Sequence, residues 1–385
     1  MAKKLFYEFF AGGGMARAGL GQQNWRCLFA NDFDHKKSRI YRENWGKREL
    51  VTGDVGRLTT ADLPGRANLV WASFPCQDLS LAGGGAGLRG DRSGTFWPFW
   101  RLMNNVIAEG RAPEIIALEN VCGTLTSHGG RDFTAICDTF RTAGYRFGAM
   151  VIDAALFVPQ SRPRLFMIGV HSNLPIPDGL VSENPSPQWH TAALLTAFNR
   201  LPEASQENWL WWNLPLPAVR TSIFSDLVEH ESTDVVWHTP EATAQLLELM
   251  GPLHLAKVER AKESGRRMVG TIYRRTREEA AGKSQRAEVR FDDVAGCLRT
   301  PSGGSSRQII MVVEGHEVKS RLISRRETAR LMGLPDTYIL PENYNEAYHL
   351  TGDGVASPVV RHLARHIFEP FIAAQAVARQ VELFV

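Results

Sequence analysis

The sequence predicts an α/β protein: a mainly parallel, mixed sheet followed by a smaller second domain. Three observations carry that prediction. Short apolar runs alternate with amphipathic segments through the first 170 residues. Three glycines, Gly12 to Gly14, separate the first apolar run from the first amphipathic one. Beyond Val170 the texture changes to a Pro-, Ser- and Asn-rich stretch, "SNLPIPDGLVSENPSPQWH", which reads as a linker.

Taken in order, "KLFYEFF" is the first strand, the glycine loop follows, and "MARAGLGQ" begins a helix. "RCLFA" and "HKKSRIYREN" repeat the alternation, and "NLVWAS" and "EIIALEN" give two further strands. Then come an amphipathic segment, "DFTAICDTFRTAG", and two strands, "YRFGAMVI" and "RLFMIGV". Strands alternating with helical patterns predict βαβ units and parallel pairing. The last two strands lack a helix between them, so they are expected to pair antiparallel at one edge. The middle of the chain is Trp-rich ("NWLWWNLPLP") and then basic, and Trp209, Trp211 and Trp212 are expected to be core anchors. In "SRRETARLMGL", Ser324 caps a helix, Glu327 completes the capping pattern and Gly333 closes it. The C-terminal stretch is apolar at helical spacing and should pack back on the first domain. The boundaries are set at 1–170, 171–345 and 346–385.

Composition narrows the class. The 385 residues are 44% hydrophobic and 22% charged, as in an ordinary soluble globular protein. Five cysteines with no CxxC spacing argue against a disulfide framework or structural zinc, and no metal is expected. The amino-terminal apolar run is too short for a signal peptide, and no run approaches the ~18 apolar residues of a membrane span, so a cytoplasmic, nucleoid-associated location is expected. Net charge is only +3, but residues 257–290 hold 11 Lys/Arg against 5 Asp/Glu. An isolated charge run is usually a solvated helix face. In an otherwise mildly acidic chain it also suits a polyanionic partner.

The glycine loop allows a ligand close to backbone N–H groups, and Asp32, 18 residues after Gly14, stands where such folds hold ribose hydroxyls. A Walker lysine is absent from the loop. Cys76 follows Pro75 at the carboxyl end of "NLVWAS", where open α/β sheets keep their sites. A free thiol, with pKa ~8.5, needs polar or cationic neighbours to act as a nucleophile. Glu119 would lie across the same edge, and Arg162 and Arg164 precede another strand. The competing reading is a buried structural cysteine.

Together these residues resemble the DNA (cytosine-5) methyltransferases. The blocks run in family order: "FFAGGGMARAGL", "NDFD", "GDV", "FPCQDLS", "RGDRSGTFW", "ENV", "PQSRPRLF", "SRRETARLMGLPDTY" and "TGDGVASPVV". The resemblance implies a Rossmann-like S-adenosylmethionine-dependent methyltransferase sheet with a smaller target-recognition domain. It implies S-adenosylmethionine as cofactor, held by Phe10, Ala11, Gly12, Gly14, Met15, Asp32, Phe33, Asp54, Val55, Pro75 and Asp353. It implies that Cys76 adds to cytosine C6 and makes C5 nucleophilic. Glu119 would hold N3 and the 4-amino group, Arg164 would bind O2, and Arg162 would support the site. The cytosine must flip out of the duplex to be reached.

Contacts to DNA are expected from Gln77, Ser80, Arg89, Arg92, Ser93 and Asn120. In the variable region they are expected from Arg299, Thr300, Ser302, Gly303, Gly304, Ser305, Arg307 and Gln308. The implied partner is double-stranded DNA, with a cognate restriction endonuclease as a candidate companion and a monomer as the acting form. An RNA cytosine-5 methyltransferase of the same fold is the alternative. Two positions depart from the family pattern. Asp353 replaces an Asn in Gly352-Asp353-Gly354, and a compensating cation, Arg164, is expected beside it. Phe157 replaces a Gly.

Overall fold

A computed structural model of the chain describes residues 3–75, 95–279, 282–300 and 307–382. It divides into two compact units. The first comprises Met1–Asp153, Pro163–Ala218 and Val355–Val385, and the second Ala154–Arg162 and Val219–Gly354.

The first unit is built on seven strands: Lys4–Phe9 (β1), Trp25–Asp32 (β2), Leu50–Thr52 (β3), Leu69–Ala72 (β4), Ile115–Val121 (β5), Tyr145–Asp153 (β6) and Pro163–His171 (β7). Their order is β3-β2-β1-β4-β5-β7-β6. β1 to β5 pair in parallel, whereas β7 runs antiparallel to both β5 and β6, the antiparallel edge that the missing helix predicts. All four residues of β4 are buried, as a central parallel strand covered on both faces requires.

Helices His35–Trp45 and Arg131–Thr142 form where the amphipathic patterns lie. The helix Phe96–Ala108 was not foreseen. Its aromatic face (Phe96, Phe99, Trp100) is buried against Phe9, Phe74 and Phe140 in the main core. The short helix Met15–Leu20 packs on Ser357–Leu363: a Cβ at Gly19 would lie 2.5 Å from both the Ser357 carbonyl and the Val360 Cβ. The expected C-terminal return is therefore present, and Trp25 Nε1 donates to Glu369 at 2.8 Å.

The boundary expected after Val170 falls elsewhere, because residues 171–218 pack within the first unit. Val181–Ser182 (β8) pairs with Trp211–Trp212 (β9), and the Leu210 N–H donates to the Phe147 carbonyl of β6 at 2.7 Å. Trp209 and Trp212 are buried, core anchors as expected, so the Trp-rich segment is committed by its apolar area to the first core. Likewise 346–354 belongs to the second unit, and the return starts at Val355.

The second unit carries the antiparallel sheet β11-β10-β12-β13, formed by Met268–Glu279 (β10), Gly282–Arg290 (β11), Ile309–Glu314 (β12) and Glu317–Leu322 (β13). The basic run is thus the end of a helix (Pro252–Glu263) followed, for most of its length, by a hairpin. Ser324 caps the helix Arg325–Leu331 with the full capping box, and Gly333 follows at φ 71°. Glu327 also accepts two hydrogen bonds from the Arg321 guanidinium, at 2.6 and 2.8 Å, with both side chains buried. Removing one partner of such a pair strands a buried charge. Glu327→Ala should therefore lower unfolding free energy by about 3–5 kcal/mol, measured by urea denaturation.

Candidate active site

The register of the central strands sets the site. Phe9 lies opposite Ala72, and Ala72 opposite Leu118, so β1 and β4 end side by side and β5 runs three residues beyond them. The segments leaving β1 and β4, 10–14 and 73–75, and the last residues of β5, 119–121, therefore lie along one carboxyl edge, where the chain order reverses between β1 and β4.

The glycine loop is tightly specified. Phe10 takes a left-handed φ of 55°, Gly12 one of 54° and Gly14 one of 80°. A Cβ on Gly14 would sit 2.3 Å from Trp45 Nε1, which itself donates to the Gly13 carbonyl at 2.8 Å. At Gly12 an added Cβ meets nothing within 4 Å, so the loop is open on that side. The Gly12 N–H donates to Asp32 Oδ2 at 2.7 Å and the Asp34 N–H to Oδ1 at 2.8 Å. Burial pushes the Asp32 carboxyl up from its ordinary range, against those two donors. Next to it the Phe33 ring is 73% exposed, a large apolar surface at the strand end. Phe10 is half-buried against Phe99, Ala11 and Met15 are buried, and Val55 is buried beneath exposed Asp54, whose carboxylate takes the Gly56 N–H.

One residue beside this loop escaped the sequence reading. Glu8, within β1, is buried, and its Oε1 accepts the Arg17 N–H at 3.2 Å while Oε2 accepts the Tyr41 hydroxyl at 3.4 Å. The helix Met15–Leu20 begins on a glycine with no side-chain cap, so a carboxylate from the strand supplies one. The available signal was an acid inside an apolar strand pattern.

Glu119 and Arg164 come together. Arg164 Nε lies 3.3 Å from Glu119 Oε1, with 15% and 7% of the side chains exposed. The cross-strand pairing of Val121 with Arg164 brings them there. Asn120 Nδ2 donates to the Phe74 carbonyl at 3.2 Å and its Oδ1 accepts the Val121 N–H at 2.8 Å, which ties the segment entering Pro75 to β5. Burial pushes the neighbouring Cys122 thiol up, against the pull of Arg164.

Arg162 belongs to the second unit and is buried there. Its guanidinium donates to the carbonyls of Gly352 (2.7 Å), Gly354 (2.6 Å) and Leu298 (3.2 Å). Gln160 is also buried, donating to the Leu331 carbonyl and accepting the Leu298 N–H. Asp353 is exposed and accepts from the Thr300 hydroxyl, while Arg164, expected as its compensating cation, is paired with Glu119. Arg299 is exposed. Arg307 is half-buried, donates to Asn345 and stacks over Tyr344, and Gln308 is 1% exposed. Cys76, Gln77, Ser80, Arg89, Arg92, Ser93, Ser302, Gly303, Gly304 and Ser305 lie outside the described residues. No cluster of His, Cys, Asp and Glu suited to a metal occurs among the described residues.

A sheet of this order, with a glycine loop and acid at one strand end and a paired carboxylate and guanidinium at the next, has the form of a nucleotide-cofactor enzyme site. The sequence profile described as C-5 cytosine-specific DNA methylase matches residues 5–369, and the chain belongs to that family. Among curated relatives, the type II methyltransferase M.BsuFI of Bacillus subtilis is 25% identical over 97% of this chain and 74% of its own length. M.HhaI of Haemophilus parahaemolyticus is 24% identical over 95% of this chain and 96% of its own. The solved structure of the Entamoeba histolytica methyltransferase EhMeth superposes with a TM-score of 0.63 at 14% identity, covering 96% of this chain and 99% of that one, a likeness of fold.

The buried Glu8 gives this edge a pH signature. Burial pushes its carboxyl up to about 7, against the attraction of Arg17 and the Tyr41 hydrogen bond and with the help of Asp32. The folded state then binds a proton more readily than the unfolded chain between about pH 4.5 and 7, so the stability due to this group falls as pH rises through that window. Thermal melts at pH 5 and pH 8 should show Glu8→Gln flattening this decline and gaining most over wild type at pH 8.

Proposed function

We propose that this chain transfers a methyl group from S-adenosylmethionine to C5 of a cytosine in a specific short sequence of duplex DNA. The observation that carries the reading is the 3.3 Å pairing of Glu119 with Arg164 at the strand ends beside Pro75. The residues at the adjoining edge fit the cofactor. Asp32 spends two of its roughly four acceptor sites on backbone N–H groups, which leaves capacity for ribose hydroxyls. The exposed Phe33 ring offers a face to an adenine, and the open side at Gly12 admits a ligand to the loop backbone. Asp54 and Val55 would meet the adenine edge, and Met15, Ala11 and Phe10 would line the loop. When bound, the cofactor supplies an electrophilic methyl group.

The chain's residues then act on the base. The Cys76 thiolate adds to C6 of a flipped cytosine, and the electron pair displaced from the C5–C6 double bond makes C5 nucleophilic. Glu119 shares a proton with N3 and accepts from the 4-amino group, stabilising the charge that develops as the thiolate adds. Arg164, aligned by Glu119, binds O2. After C5 has taken the methyl group, a base removes the C5 proton and the C6–S bond breaks, returning the thiolate. Arg162 is a positioning residue that secures the 298 and 352–354 backbone. Gln77, Ser80, Arg89, Arg92 and Ser93 are assigned to the DNA, as are Arg299, Thr300 and residues 302–305. A family of DNA methylases supports DNA over the RNA alternative. A monomer in the cytoplasm, acting beside a restriction endonuclease, completes the reading.

Unmethylated genomic DNA incubated with S-adenosylmethionine and wild type, Cys76→Ser or Glu119→Gln should be sequenced at base resolution for methylation. Wild type should mark cytosine C5 in one motif, Cys76→Ser should mark none, and Glu119→Gln should slow the reaction at least ~100-fold. Marking by Cys76→Ser at the wild-type rate would falsify the covalent route, and marking of RNA alone would favour the other substrate.

A further inference from the structure

A closed ring of three residues, drawn from three elements, packs against the glycine loop. Glu8 belongs to β1, which enters the loop, Arg17 to the helix that leaves it, and Tyr41 to the helix His35–Trp45. Glu8 accepts the Arg17 N–H at 3.2 Å on one oxygen and the Tyr41 hydroxyl at 3.4 Å on the other. Arg17 Nη1 closes the ring by donating to the Tyr41 hydroxyl at 3.0 Å. The Arg17 guanidinium also lies over the rings of Tyr41 and Trp45, 5.7 and 5.3 Å from their centroids. The loop rests on those two rings. A Cβ on Gly14 would come within 2.9 Å of Tyr41 and 2.3 Å of Trp45, and Trp45 Nε1 holds the Gly13 carbonyl.

The titratable groups facing Glu8 are Arg17, Tyr41 and, from β2, Cys27 and Asp32, while Glu49 meets Arg17 at 3.5 Å. Ionised Glu8 accepts both hydrogen bonds at once. Protonated, it becomes a donor at one oxygen, and the Tyr41 oxygen, which already accepts from Arg17, has to turn its own proton elsewhere. The ring is therefore complete only around the carboxylate. Burial raises this carboxyl to about 7, so the change falls near neutral pH. The proton has a route to solvent. A cavity of about 110 Å³ is lined by Arg17, Cys27 and Glu49 together with exposed Lys3, Gln22 and Arg26.

We propose that ionised Glu8 is a positioning residue for the cofactor: through the Tyr41 hydroxyl and the Arg17 N–H it holds the glycine loop in its ligand-binding shape. The proposal rests on the S-adenosylmethionine reading above. A loop held ready in this way lowers the ordering cost that binding must meet. Because the ring needs the carboxylate, cofactor affinity rises as pH passes upward through 7, and binding releases a proton. The same burial makes the stability due to Glu8 fall over that window, so affinity and stability move in opposite directions.

The test is isothermal titration calorimetry of the full chain with S-adenosylmethionine at pH 5.5 and pH 8, for wild type, Glu8→Gln, Tyr41→Phe and the double variant. At pH 8 wild type should bind about tenfold tighter than Glu8→Gln, the effect of one hydrogen bond to a charged group. At pH 5.5 the two should bind equally. The ligand's own titration is common to both proteins and cancels in that ratio. Tyr41→Phe should lose as much as Glu8→Gln at pH 8, and the double variant no more than either, since all three break one ring. Thermal melts report folding separately: at pH 8 Glu8→Gln should be the more stable protein and the weaker binder, which a merely structural role would not produce. Glu49→Gln, which removes a partner of Arg17 outside the ring, should leave the affinity unchanged. Equal affinities of wild type and Glu8→Gln at pH 8 overturn the proposal, as do additive losses in the double variant or an equal loss from Glu49→Gln. Wild type that binds S-adenosylmethionine but methylates no DNA sinks the methyl-transfer reading, while the affinities still judge the ring. Wild type that binds no S-adenosylmethionine overturns the ring's role and the cofactor reading together.

Discussion

Everything at the candidate site depends on one registration: Phe9, Ala72 and Leu118 lie abreast on three parallel strands. A shift of one residue would turn each strand's side chains to the opposite face and retract one of three loops from the edge. The register is secured on one face by a core in which Phe96, Phe99 and Trp100 of the helix Phe96–Ala108 pack with Phe9 and Phe74 at the strand ends. The polar groups at that edge come at a cost to stability. Glu8 is buried with a raised pKa, and Phe10 holds a left-handed backbone that a phenylalanine disfavours. Both are tolerable because the surrounding strands over-determine their positions.

Buried arginines are used in two ways. In the first unit, Arg164 faces a carboxylate and keeps part of its surface open, the arrangement of a group that can still meet a ligand. In the second unit, Arg162 and Arg321 are fully enclosed and spend their donors on backbone carbonyls and, for Arg321, on Glu327. A planar fork that is always charged can gather carbonyls from distant segments, which a lysine's single ammonium cannot do in the same geometry. Arg162 thereby joins residues more than a hundred positions apart into one turn. Its neighbour in the motif, two residues on, has a different task.

Much of this was legible because the relevant signals are local. The alternation of strands and helices, the capping serine at 324, the glycines at 12 and 14, and the carboxylate at the end of "EIIALEN" each follow from residue type and spacing. Other features were not legible, for identifiable reasons. Helix Phe96–Ala108 buries Phe96, Phe99, Trp100, Met103 and Val106 at helical spacing and exposes Arg101, Asn104 and Asn105, a period present in the sequence but interrupted by Pro98 in its first turn. The segment 171–218 has linker-like composition, yet its few tryptophans bury enough area to bind it to the first core. The basic run became a hairpin because Ile272, Ala287 and Val289 face a core that composition does not reveal. Gln308 and Arg307 carry polar side chains of the kind that read bases, but tertiary packing encloses one and engages the other.

The substitution at Asp353 shows how exposure decides an electrostatic argument. An added anion near a reacting centre suggests a matching cation, and Arg164 was the candidate by sequence. That guanidinium is held by Glu119, where both groups are largely out of water and the pairing matters most. Asp353 is exposed, so water solvates its charge and a hydroxyl, that of Thr300, suffices as an additional partner. Its backbone neighbours on both sides, Gly352 and Gly354, give their carbonyls to Arg162. The turn is therefore fixed through the main chain, and the side chain at 353 is left to set the tie to Thr300. An asparagine would present the same Oδ1 acceptor to that hydroxyl.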